Sequence, residues 1–381
     1  MLNLSGIYNS KMSQSRFFTF TQIFFITIFL SIHYRSSAQH SKNDSVRVDY
    51  KKIYGYALQA NINPALLVLK VDNTKLMTPK DKQFVINFFN RFNYTEDKSN
   101  YLEERRSPID TLVKFFRDYW RLSLKNSDKD YDTLFVRNLS SFFANKYHLK
   151  PYQGELPVDT VDVYMTKYIR ATGLHTNGLG KTGKLYDLLV WRKEMDTTYE
   201  FQIQKEKVHA PVVFMDDFVS LGWEEYATLG KNYPGGWTTS AAIFAVSKAY
   251  DTKSKDFLVD LLAHEGRHFA DRKLFPQLGG ADLEYRAKLV ELSLLKQSIY
   301  STIEFFINDS DQSSYENSHP FANYCVIRDL SEILFNIEFE KDIKKWKTIL
   351  YERINAAAER LLRENTIALK NQKSNVNRYI K

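Results

Sequence analysis

Residues 255–268 read Lys255-Asp256-Phe257-Leu258-Val259-Asp260-Leu261-Leu262-Ala263-His264-Glu265-Gly266-Arg267-His268. Apolar residues recur here at helical spacing, and Pro276 stops the segment beyond Leu274, so the stretch predicts a helix. Residues i and i+4 of a helix share one face with their Cβ atoms about 6 Å apart, so the imidazoles of His264 and His268 can bind one cation. H-E-x-x-H on a helix is the pattern that holds Zn2+ for hydrolysis. Glu265 leans over the same position and can accept a proton from the water there. The expected roles are therefore metal ligand for His264 and His268 and general base for Glu265.

A catalytic zinc takes three protein ligands and keeps a fourth position for water, so two histidines leave one ligand to be found. After the loop Pro276-Gln277-Leu278-Gly279-Gly280, residues 281–292 predict a second helix carrying Glu284 and Glu291. These acids are seven apart and share a face. Glu284 is the preferred third ligand and Glu291 the alternative. Asp271, three residues beyond His268, is either a carboxylate that orients an imidazole or a solvated acid at the helix end.

Together these residues resemble the zincin metallopeptidases, and within them the gluzincins, whose third ligand is a Glu on the helix after the H-E-x-x-H helix. Glu284-Tyr285-Arg286-Ala287 is similar to the E-x-x-A pattern around that Glu. The resemblance covers residues 235–295 and implies an α+β catalytic domain that hydrolyses peptide bonds. Asp271 and Leu274 stand where metzincins carry Gly and a third His, which excludes that group. No Gly-Thr pair of the aspzincin kind follows His268, and Leu283 precedes Glu284 where thermolysin-like chains have Asn.

Upstream, Tyr233-Pro234-Gly235-Gly236 is a turn signal followed by the β-rich run Trp237 to Val246. A strand before the metal helix is the zincin order, and in that resemblance it is an edge strand that pairs with an extended peptide. Downstream, Ser318 reads as the N-cap of a helix running through Cys325 towards Phe335, and His319 on it is either a surface or capping residue or, with Tyr324, a side chain that could donate to an oxyanion; neither joins the expected site. Gly178-Leu179-Gly180-Lys181-Thr182 ends like a phosphate-binding loop, but His175 occupies the place of its first Gly, so it reads as a flexible loop.

Residues 1–38 carry Lys11, Arg16 and Arg35, no acid, and the apolar core Ile23 to Leu30 before Ser36-Ser37-Ala38. This has the form of a secretory signal peptide, and the sixteen residues from Phe17 to Ile32 are short for a membrane span. The expectation is export, to the periplasm or medium, with an uncleaved single-pass anchor as the alternative. Cys325 is the sole cysteine, so no intramolecular disulfide forms. Without residues 1–38 the formal charge falls from +8 to +5 and is spread along the chain, which argues against a nucleic-acid groove. The expected partner is a peptide or protein substrate.

The segments Ala65 to Leu69, Gln83 to Phe89, Ile109 to Phe116 and Leu134 to Tyr147 are apolar at three- and four-residue spacing, which predicts a helical N-terminal region. Leu185 to Trp191, Thr197 to Ile203 and Ala210 to Met215 read as short strands. A long helix over Asp342 to Leu369 and a fraying polar tail over Lys370 to Asn375 close the chain. The predicted organisation is a signal over 1–38, a helical region over 39–155, and over 156–381 a zincin-like α+β domain with a small mixed sheet, the metal helix and C-terminal helices. The open alternatives are a non-catalytic cell-envelope protein with a structural or vestigial zinc site, and a zinc hydrolase of non-peptide substrates.

Overall fold

The computed structural model describes residues 47–69, 77–99, 107–150, 154–203, 206–239, 241–372 and 376–381; the expected signal peptide lies outside them. The architecture is α+β, and the chain divides into two compact units. Of the described residues, the first comprises those from 47 to 194 together with 215–235, and the second comprises those in 195–214 and 236–381. This division differs from the boundary expected at 155/156. The helix over Val158–Arg170 and the short strands after it bury Val161, Met165, Ile169, Leu185 and Val190 in the same core as the N-terminal helices, and that shared core sets the unit.

The first unit is built on α1 (Tyr50–Leu58), α2 (Asn63–Leu69), α3 (Pro79–Phe92), α4 (Asp110–Lys125), α5 (Asp132–Lys146) and α6 (Val158–Arg170). Thr78 caps α3 by accepting from the Asp81 N–H, and Pro79 opens the helix where no N–H is needed. Along α3, Phe84, Phe88 and Phe92 recur every four residues and pack in tilted pairs at 5.7 and 5.1 Å between ring centroids. That ladder explains the aromatic weight of the sequence here. Strands β1 (His175–Thr176), β2 (Gly180–Thr182) and β3 (Leu185–Asp187) follow. Lys181, in the loop-like Gly178–Thr182 run, pairs in register with Tyr186 across β2 and β3, so this run is half of a small hairpin and not a loop.

Two long strands come next, β4 (Leu189–Ile203) and β5 (Glu206–Leu221), each passing along the chain from one unit into the other. The sequence predicted shorter pieces because Arg192, Lys193, Glu194 and Asp196 interrupt the apolar pattern. Those residues are solvated or half-buried on an antiparallel arm, whose ladder is made by the backbone and needs an apolar side chain on one face only. A short helix, α7 (Trp223–Ala227), ends the first unit's share of the chain.

The second unit adds β6 (Gly236–Thr238) and β7 (Ile243–Val246), an antiparallel pair with Trp237 opposite Phe244, their rings stacked at 5.4 Å. The full strand order is β1-β4-β5-β7-β6, which leaves β6 at an edge. The run Trp237 to Val246 is thus a hairpin where one strand was predicted. Thr239 makes the turn, its N–H bonded to the Ala242 carbonyl and its hydroxyl accepting from the N–H groups of Ala241 and Ala242.

Among the described residues, the α-helices that complete this unit are α8 (His264–Leu274), α9 (Gly280–Leu294), α10 (Ile299–Asn308), α11 (Ser318–Phe335), α12 (Ile343–Trp346) and α13 (Tyr351–Asn371). Residues Asp256–Ala263, expected as the first turns of the metal helix, wind as a π-helix that leads directly into α8. Asp342 caps α12 and the extended Leu350 separates it from α13, so the single C-terminal helix predicted from the apolar stripe is two. Ser318 is the first helical residue of α11 and not its cap, since Asn317 holds the flanking position. Among the described residues, no helix is long and apolar enough to cross a membrane.

Helix α9 packs against α8, α11 and α13, and almost its whole length is buried. The Gly279-Gly280 pair permits this at its start. A Cβ on Gly279 would lie 2.3 Å from the Tyr315 hydroxyl, and one on Gly280 would lie 2.5 Å from Ser318 Oγ.

Two buried acids in the first unit give its stability a pH dependence. Burial pushes the Asp187 carboxyl up to about 6, although its Oδ1 caps α7 by accepting from the Trp223 N–H. Burial and the Asp187 charge push Glu224 up to about 8. Both groups hold protons in the folded chain that the unfolded chain releases near pH 4, so their stabilising contribution is complete below that pH. It declines as pH rises through 6 and then 8. We expect exchange of the α7 amides to speed up between pH 5 and 8 by more than the intrinsic chemistry requires, corresponding to on the order of 2–4 kcal/mol. Glu224→Gln should remove much of that slope, and an unchanged slope in the variant refutes the assignment.

Candidate metal centre

The site is assembled within the second unit from α8, α9, α11 and the edge strand β6. On α8, His264 and His268 stand one turn apart with their rings nearly perpendicular at 4.7 Å. Their Nε2 atoms face each other at 3.0 Å. Glu284 reaches them from α9, with Oε2 at 3.5 Å from His264 Nε2 and Oε1 at 3.2 Å from His268 Nε2. All three side chains are buried, and together they form a group that could hold a metal ion. The sequence therefore named three residues that the fold brings together.

The donor set tests whether a metal fits. Two imidazole nitrogens and one carboxylate are the ligands of a three-residue site with a fourth position to spare. Donors arranged tetrahedrally at about 2.0–2.1 Å from a zinc ion lie roughly 3.3–3.4 Å from one another, and the observed separations of 3.0, 3.2 and 3.5 Å span that value. Neither Glu284 oxygen makes a well-formed hydrogen bond, and Glu284 is 1 % exposed. An ionised carboxylate in that position needs positive charge close by.

Without a metal, protons supply that charge. Burial on its own would depress the His264 imidazole, but the charges of Glu284 and Glu291 outweigh it and raise the group to about 10. Burial likewise opposes ionisation of Glu284, yet His319, His268 and His264 hold its carboxyl well below the usual range. The pocket is thus built around a negative carboxylate ringed by nitrogen.

Glu291, the alternative ligand, touches the other edge of the same imidazole: His264 Nδ1–H donates to Glu291 Oε1. It fixes which nitrogen of His264 faces Glu284, the arrangement that commonly steadies a ligating histidine. Asp271 does neither of the things expected of it. It is fully buried, accepts two bonds from Arg286 at 2.7 and 2.9 Å, and pairs with Arg267 at 2.7 Å. The acid orients no imidazole because two guanidinium groups occupy it. Asn365 on α13 takes a third Arg286 bond at 2.6 Å, so this network ties α8, α9 and α13 together.

Glu265 is completely buried beside His264. The Thr238 hydroxyl on β6 donates to Glu265 Oε2, while Oε1 has no hydrogen-bond partner. Thr238 was legible in the sequence only as one strand residue, because nothing in a local pattern reports which strand end faces a helix. His319 lies at the start of α11 with Nδ1 3.1 Å from Glu284 Oε2 and is about a third exposed. Tyr324 is placed elsewhere on α11, stacked on Phe339 at 5.3 Å.

If Glu291 orients His264, its removal should weaken metal binding without dismantling the ligand set. Glu291→Ala is expected to lower affinity for a divalent ion about 10- to 100-fold in competition with a chromophoric chelator, and Glu291→Gln, which can still accept from Nδ1, by less. Equal affinities for wild type and Glu291→Ala would exclude the role. No protein-family model, curated protein or solved structure matches the chain.

Proposed function

We propose that this chain is a zinc-dependent peptidase of the gluzincin type that acts outside the cytoplasm. The observation that carries the reading is the convergence of His264 Nε2, His268 Nε2 and the Glu284 carboxylate within 3.0–3.5 Å of one another, with an unpartnered Glu265 oxygen on the adjoining residue. Residues 1–38, with the form of a secretory signal, support export.

In this reading His264, His268 and Glu284 hold the ion, which when bound supplies Lewis acidity that acidifies water and polarises a carbonyl. Glu265 takes a proton at Oε1 and can pass it to the leaving amine. Thr238 keeps Oε2 engaged, so the proton arrives at one defined oxygen, Oε1. Edge strand β6 offers main-chain groups to an extended peptide, which suits recognition of backbone over sequence. Burial of Glu265, His264 and His268 restricts competing solvent around the reacting atoms.

The self-neutralising charge of the metal-free cluster also supports a second reading, a non-catalytic module in which these residues are structural. Zinc content of the purified protein and a peptide-library digest separate the two, and a digest without cleavage but with bound zinc leaves a hydrolase of other substrates. Glu265→Gln should retain zinc and lose at least about 10²-fold in hydrolysis. Full activity in that variant would sink the proposal. Thr238→Val should also retain zinc, with kcat reduced about 10- to 100-fold for the lost bond to a charged acceptor. Unaltered kcat for Thr238→Val would remove Thr238 from the mechanism.

A further inference from the structure

Arg272 lies on α8 four residues beyond His268 and eight beyond His264, which continues the stripe of the two ligands by one more turn. The other arginine of α8, Arg267, and Arg286 of α9 are both committed to Asp271. Arg272 differs. Among the described residues its guanidinium has no hydrogen bond, ion pair or aromatic partner, and its Nε is buried with nothing to donate to. Burial presses its proton affinity down, while the charges of Glu265 and Glu284 push it back up, which places the guanidinium within electrostatic reach of both site carboxylates.

A guanidinium drawn partly out of water without a partner is a standing cost to the fold. The charges of Glu265 and Glu284 offset part of that cost at a distance, but among the described residues no hydrogen bond or ion pair engages the guanidinium, and its buried Nε is left unpartnered. We propose that Arg272 binds the terminal carboxylate of the substrate peptide, so that the site removes residues from the C-terminal end of its substrates. This rests on the peptidase reading above and names the substrate class for that site. The planar fork of a guanidinium matches a carboxylate with two parallel bonds, and its charge persists at any pH the protein meets. Glu265 and Glu284 disfavour a dianionic phosphate in the same place.

The distance sets how far from the terminus cleavage falls. One helical turn separates Arg272 from His268, a rise of about 5.4–6 Å, and each residue of an extended peptide advances about 3.4 Å. A carboxylate held by Arg272 therefore belongs to the first or second residue beyond the bond being cut. Release of a single amino acid or a dipeptide follows.

The test uses the full chain loaded with zinc and pairs of peptides that are identical except for a free or amidated C-terminus. Wild type should cleave the free acid at least about 10-fold better in kcat/KM, with the difference mainly in KM. Arg272→Gln should keep its zinc and bring the two substrates to within about threefold. Arg272→Lys, which keeps the charge and loses the fork, should fall between them and serves if the Gln variant folds poorly. An equal loss for both substrates in Arg272→Gln would place the residue on the reacting carbonyl oxygen and overturn the proposal. So would an Arg272-dependent preference for an amidated peptide carrying an internal Asp or Glu, which assigns the pocket to a side chain.

Binding supplies an independent readout. N-acetylphenylalanine should bind the Glu265→Gln protein about 10-fold more tightly than its amide, and Arg272→Gln in that background should abolish the difference. Carboxylate-selective binding with no hydrolysis of any peptide would sink the peptidase reading and leave the Arg272 site standing. Hydrolysis with no discrimination between acid and amide would do the reverse.

Discussion

Glu284 is an ionised carboxylate with 1 % of its surface exposed, and the second unit is organised around meeting that cost. Removing such a group from water costs several kcal/mol, and attraction recovers it only when the geometry is close and the remaining lone pairs are engaged. Three imidazole nitrogens from two helices stand within 3.1–3.5 Å of its oxygens. The positions of α8, α9 and α11 are therefore coupled through one side chain. A metal ion would take over the charge balance that protons otherwise provide.

The same logic extends along α9. Asp282 accepts from the N–H groups of Tyr379 and Ile380 and from the Tyr315 hydroxyl, Tyr285 donates to Asp329, and Arg286 joins Asp271 and Asn365. Lys288 lies over the Phe306 ring at 4.7 Å, and Glu291 accepts from His264. A helix with this much charge reads locally as a solvated surface helix. It is the central helix of its unit because its charges find partners on neighbouring elements, α8 above all. The apolar residues of α9, among them Leu289, Val290 and Leu292, fill the spaces between these pairs.

Much of the site was legible because its chemistry is encoded at short range. The four-residue step from His264 to His268 places two rings on one helix face whatever the rest of the chain does, and Glu265 travels with them. The sequence preferred Glu284 to Glu291 but could not separate them by spacing, since acids seven apart share a face, and the fold places Glu284 with the two histidines. Both prove to contact His264, on opposite ring nitrogens, and only the packing of α9 against α8 separates their roles. Arg267 sits one turn before Asp271 on the same helix, but the bidentate partner that occupies Asp271, Arg286, comes from α9, and no local pattern reports that contact. Thr238 was invisible as a site residue because its place opposite Glu265 depends on the β6–β7 turn. Arg272 could have been found by extending the ligand stripe one turn further.

At the level of fold, periodicity revealed the helices of the first unit and the α+β class, because repeats of 3.6 and 2 are written in the chain itself. The unit boundary, the π-helical approach to α8, the length of β4 and β5, and the split between α12 and α13 came only from the folded chain. Each depends on contacts between residues far apart in sequence, which no local pattern carries. The sequence by itself determined a pair of histidines and an acid able to act on one metal ion. The tertiary structure decided which distant carboxylate joins the histidines, which one contacts the far edge of His264, and that Arg272, one turn along the same helix, keeps a buried Nε without a partner.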